Sequence, residues 1–106
     1  MIIAQAAHAA QFSLSRMGKS TLARGEHLFA GLNCFEPGQE HAPHAHADQD
    51  KLYYIVEGSG VVHVGGQAET LTAGGAAFAP AGVEHSLRNP GPGRLVALVV
   101  MSPPPK

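Results

Sequence analysis

The chain has 106 residues, 44% of them hydrophobic, and a net charge of −1, the size and composition of one domain with its own core. Seven Lys and Arg stand against eight Asp and Glu with no basic stripe, which argues against nucleic acid or an anionic membrane surface as a partner. A single cysteine, Cys34, rules out an internal disulfide and leaves packing, a metal or a second copy to supply stability.

Residues 1–17 contain neither Gly nor Pro and are rich in Ala, which suits a short helix or an ordered arm. The opening MIIAQAAHAAQF has no positive flank and is interrupted by Gln5 and His8, so it does not read as a secretory signal. The longest wholly apolar run, Leu95 to Met101, falls far short of the ~18 residues of a membrane helix. A cytoplasmic protein is the expectation. From Pro37 onward turn signals recur: Pro37-Gly38, Gly58-Ser59-Gly60, Gly65-Gly66, Gly74-Gly75, Pro80-Ala81-Gly82 and Asn89-Pro90-Gly91. Between them lie the short β-rich segments LYYIV, GVVHV, ETLTA, GAAFAP and LVALVVM. No gap has room for the helices of a parallel α/β sheet, so the fold class is all-β, a sandwich or barrel. One domain is expected over 1–106, with a core of about 26–101 and a Pro-rich tail, 102–106, that is extended or disordered.

The stretch HAPHAHADQDKLYYIVEG gathers His41, His44 and His46 just before a strand. On a strand, residues two apart share a face, so His44 and His46 can present both imidazoles in one direction. His85 follows the Pro80-Ala81-Gly82 turn, which returns the chain to a strand, and it is the natural third ligand of a metal site.

Two motifs carry a resemblance. Gly38, five residues, His44-Ala45-His46 and later Gly58 resemble the first motif of the cupins. Gly74, five residues, Pro80-Ala81-Gly82, two residues, His85, three residues and Asn89 are similar to the second at every fixed position. The resemblance implies a small double-stranded β-helix (jelly-roll) barrel, and a divalent metal held inside it by His44, His46 and His85. One position departs from the pattern. Where the family's first motif usually carries a glutamate, seven residues before the closing glycine, this chain has Lys51. Asp50 is the possible fourth ligand, although a shift of one residue turns a side chain to the other face of a strand.

Lys51, Tyr53 and Phe78 are the candidate lining of a substrate pocket. Lys51 is expected at the barrel mouth, turned away to pair with Asp48 or Asp50, while Tyr53 and Ile55 share its inward face. His41 reads as a surface or neighbouring residue, His63 as outward-facing, and His8 and His27 as structural. Asn89 reads as the tie of its own turn, and Cys34 as an inert buried thiol. No side chain stands out as a general acid or base. Three neutral histidines on iron, zinc, nickel or manganese favour small anionic or chelating ligands. The expected function is metal-dependent work on such a metabolite, dioxygenase-like or isomerase-like, with a non-catalytic binding module as the alternative. A homodimer is expected, with LVALVVM and the N-terminal arm at its interface.

Overall fold

The computed structural model describes residues 1–106 and is almost wholly strand. Nine strands follow a short 3₁₀ turn at Ala6–Ala9: β1 (Gly18–Arg24), β2 (Phe29–Phe35), β3 (Glu40–His44), β4 (Asp50–Glu57), β5 (Ser59–Val64), β6 (Gln67–Thr72), β7 (Ala76–Ala79), β8 (His85–Arg88) and β9 (Leu95–Ser102). They form two antiparallel sheets, β1-β2-β9-β4-β7 and β3-β8-β5-β6. The five segments picked out by their turn spacing are all strands. β1 and β2 carry no comparable signal, because GKSTLAR and FAGLNCF lack both alternation and flanking turn pairs.

β4 shows why the sheets face each other. Lys51, Tyr53 and Ile55 are buried, whereas Asp50, Leu52 and Tyr54 between them are exposed, the period-2 pattern of a strand with one face in the core. The inward residues Phe35, Tyr53, Ile55, Leu95, Ala97 and Val99 of the first sheet meet Val62 and Leu87 of the second. The run LVALVVM is β9, paired to β2 on one side and β4 on the other, so its backbone edge is closed.

The N-terminal segment is an arm rather than an α-helix. Ala9, Ala10 and Phe12 cover Leu32, Cys34 and Val96 on the outer face of the five-stranded sheet. The Gln39 amide donates to the Ser13 carbonyl at 2.7 Å, and the Arg94 guanidinium lies over the Phe12 ring. Cys34 is therefore fully buried, and that burial raises its thiol pKa, as an inert thiol requires. The tail is held near its end, where the Arg24 guanidinium donates to the Pro105 carbonyl.

Gly58 closes the β4–β5 turn at φ +82°, and a Cβ there would overlap the Arg94 carbonyl oxygen. Gly58→Ala is thus expected to cost more than ~3 kcal/mol, read as a lowered urea midpoint at unchanged slope.

Candidate metal centre and anion pocket

The histidine site is built where β3 meets β8. His44 and His85 are cross-strand partners with ring centroids 4.2 Å apart, and the His46 ring lies 4.9 Å from His44 and 5.4 Å from His85. β3 ends at His44, so His46 reaches the cluster from the following loop and not from the same strand face. That loop is pinned by the Gly82 N–H, which donates to the His46 carbonyl at 2.8 Å. Gly82, at φ +82°, lies in the turn that leads on to His85, so one tight turn sets both residues.

Each ring is oriented by its own backbone. The Nδ1–H of His44 donates to the Ala42 carbonyl at 2.7 Å, and that of His85 to the Val83 carbonyl at 2.9 Å. In this tautomer Nε2 carries the free lone pair, and in both residues Nε2 is buried without a partner. The possible ligand atoms of His44, His46 and His85 all lie within 4.8 Å of one another. Two nitrogens on one ion at bond lengths of ~2.1 Å stand at most about 4.2 Å apart, so small rotations close the set. The donor set fits a divalent ion.

All these rings are neutral at pH 7. Burial lowers the pKa of His44 to about 4 against the opposing pull of the Ala42 carbonyl, and burial followed by Lys51 lowers that of His41 to about 3. Burial and Lys51 lower His46 and His85 as well.

His41 belongs to the pocket. Its ring stacks 4.0 Å from that of His44. Pairing runs from His41↔Leu87 to His44↔His85, three residues on β3 against two on β8, so β3 carries a bulge that returns both histidines to the inner face. Pro43 inside the bulge is the sequence signal for it.

A cavity of about 280 Å³ opens beside the histidines, bounded by His41, His46, Lys51, Lys19, Asn33 and Met101 among others. Two lysines and no acid line it, so its potential favours anions. Lys51 points inward and is only 3% exposed. The pairing expected with Asp48 or Asp50 does not form: neither carboxylate lies within ion-pair distance of the ammonium, and the side-chain ion pair of the chain is Glu36–Arg94. The Lys51 ammonium instead sits 4.8 Å from the centre of the Tyr53 ring, and burial, followed by repulsion from Lys19, lowers its pKa to about 8.

Asp50 is turned the other way. It is exposed and accepts a hydrogen bond from the Ala81 N–H at 2.9 Å, which makes it a tie for the Pro80–Gly82 turn and not a fourth ligand. Phe78, outward by the same alternation and 53% exposed, lines a separate groove between the free edges of β6 and β7 and no part of the histidine cavity. Tyr53 is fully buried, with its ring 6.0 Å from that of His85. Its hydroxyl has no partner, and burial raises its pKa. His63 is exposed on the outer face, as are His8 and His27 at the surface. Asn89 ties its turn, donating to the carbonyls of Phe35 and Gly93 and accepting from the Gly91 N–H. Lys19 and Asn33 were not legible as site residues, because they lie on β1 and β2.

Comparisons with known proteins agree with this architecture. A family model described as the cupin domain matches residues 31–101. An oxalate-binding protein of Thermotoga maritima is 32% identical over 85 residues, covering 80% of this chain and 69% of that protein. Among solved structures, TT1209 from Thermus thermophilus is 37% identical with a TM-score of 0.94, covering 99% of this chain and 100% of its own. KdgF from a Halomonas species is 25% identical with a TM-score of 0.83, covering 91% and 86%. No helix of the chain is long and apolar enough to cross a membrane.

Proposed function

The chain belongs to the cupin family, and on that premise we propose that it is a one-domain protein that captures a small chelating anion at a divalent metal. His44, His46 and His85 would hold the ion. The observation that carries this reading is the pair of buried, partnerless Nε2 atoms of His44 and His85 beside a cavity that holds two lysines and no acid. The likeness to an oxalate-binding protein supports the same class of ligand. When bound, the ion would supply Lewis acidity and a docking point for a carboxylate or enolate oxygen. The chain's own part is to hold the imidazoles in one tautomer, keep its own acidic side chains out of the cavity, and draw anions in with Lys19 and Lys51. A dioxygenase-like or isomerase-like activity would use the same bound anion. Oxygen uptake by the iron-loaded protein, or turnover by the zinc, nickel or manganese form, separates catalysis from simple binding.

Metal content tests the reading directly. Metal-free protein titrated with manganese, zinc, nickel or iron(II) is expected to take up about one ion per chain, and uptake of none overturns the proposal. The pH dependence has a definite sign. Protons compete for an imidazole only below its pKa in the metal-free protein, and that of His44 is lowered to about 4. Ordinary imidazoles would begin to lose metal near their unperturbed ~6.5. With all three imidazoles held below that value, metal loss here is expected to begin at a lower pH than for ordinary imidazoles.

We also propose a homodimer, formed on the outer face of the five-stranded sheet. Leu52, Tyr54 and Phe78 are exposed there beside Leu98 and Val100, and Met1 and Ile2 of the arm are almost fully exposed. An antiparallel sheet with one solvated face ordinarily shows polar residues on it, and here Asp50 and Ser102 at one end of the β4 and β9 rows give way to apolar side chains along the rest. Light scattering at micromolar concentration is expected to give twice the chain mass, and Phe78→Glu is expected to return it towards one chain.

A further inference from the structure

The cavity beside the histidines holds polar groups that the metal reading leaves without work. Asn33 is 4% exposed, and its Nδ2 has no hydrogen-bond partner. It stands on the inner face of β2, cross-strand from Lys19 on β1 and from the core residue Ala97 on β9. Both Asn33 and Lys19 line the cavity, together with His41, His46 and Lys51. Gly31, two residues before Asn33 on β2 and paired with Val99, also lines the cavity, with the Phe29 ring lying against it. A desolvated amide without an acceptor is unfavourable, and an anionic oxygen placed there would satisfy it.

Size points the same way. The cavity of about 280 Å³ has room for on the order of nine water molecules at ~30 Å³ each, more than a two-carbon diacid displaces. We propose that Lys19 and Asn33 form a second anchor for an acidic group, distinct from the metal. The ligand is then a dianion longer than oxalate, with a chelating hydroxy-acid or keto-acid end for the metal and a distal carboxylate for Lys19 and Asn33. Lys51 lies in the same cavity and offsets the charge of the ligand. This rests on the metal reading for the chelating end only.

The test compares matched probes by calorimetry on metal-loaded protein. Malate and 2-hydroxyglutarate are set against 2-hydroxybutanoate and 2-hydroxypentanoate, in which a methyl replaces the distal carboxylate. At least one diacid is expected to bind 10-fold or more tightly than its methyl-ended partner. Asn33→Leu and Lys19→Met should each cut that ratio several-fold, and the double variant should bring it to about one. Metal content should stay at about one ion per chain, and the affinity for the methyl-ended acids should fall less than that for the diacids. A ratio near one for both pairs in the native chain, or a ratio that survives the double variant, overturns the proposal. If the protein takes up no metal, the metal reading fails by itself. The anchor is then judged on metal-free protein by NMR titration with glutarate: it stands if the double variant weakens binding and falls if it does not.

Discussion

Replacing His44, His46 or His85 singly by Ala is expected to lower metal affinity by more than ~100-fold, while His63→Ala and His41→Ala leave about one ion per chain. The magnitude follows from position. Groups that merely orient a metal-bound histidine are worth about 10–100-fold when removed, so loss of a ligand itself costs more. His44 and His85 supply the two buried Nε2 atoms, and removing either leaves two nitrogens where the geometry offers three. His63 is exposed on the outer face of β5 and cannot reach the cluster. His41 is the more searching control, because its ring stacks 4.0 Å from that of His44 yet it stands outside the three whose ligand atoms converge. Equilibrium titration with a fluorescent metal competitor gives the affinities, and circular dichroism shows that each variant keeps its sheet. If His41→Ala empties the site and His46→Ala leaves it full, the third ligand has been misassigned.

The core and the histidines were legible in the sequence for one reason: both are written in short-range spacing. Turn residues every eight or nine positions bounded β5 to β7, and the Pro-x-Gly turn announced His85 three residues later. What could not be read depends on which strands lie side by side. Lys19 and Asn33 enter the cavity because β1 pairs β2 and β2 pairs β9, an arrangement that nothing in GKSTLAR or FAGLNCF encodes locally. The inward turn of His41 depends on a bulge, and a bulge resets the alternation on which facing arguments rest. Asp50 and Phe78 went wrong in the instructive direction. Strict alternation along β4 and β7 puts both outside, and that rule decided better than proximity in sequence to the motif.

Lys51→Met is expected to stabilise the protein at neutral pH by about 2–3 kcal/mol, or roughly 10 °C or more in Tm for a chain of this length. Lys51 is 3% exposed with no acid beside it, and its pKa is lowered from 10.5 to about 8. The sign is fixed by linkage. Between about pH 8 and 10.5 the unfolded chain holds the proton that the folded chain has shed, so stability of the native protein rises with pH through that window. Below about pH 8 the lysine is charged in both states and the whole cost is present. The gain from Met is therefore largest at neutral pH and should vanish above about pH 10.5, as thermal melts across that range would show. The same charge acts on the metal. The Lys51 ammonium repels a divalent ion held by the histidines, and the opening of the cavity to water screens that repulsion. Lys51→Met should accordingly tighten metal binding by roughly 10-fold, and Lys51→Glu by more. Anions respond in the opposite sense: oxalate or malate affinity for the metal-loaded protein should fall several-fold in the Met variant and further in the Glu variant. A buried lysine that weakens both the fold and the metal site is thus accounted for by the anion it draws in. Loss of metal from both variants would instead make Lys51 a packing residue and end this electrostatic account.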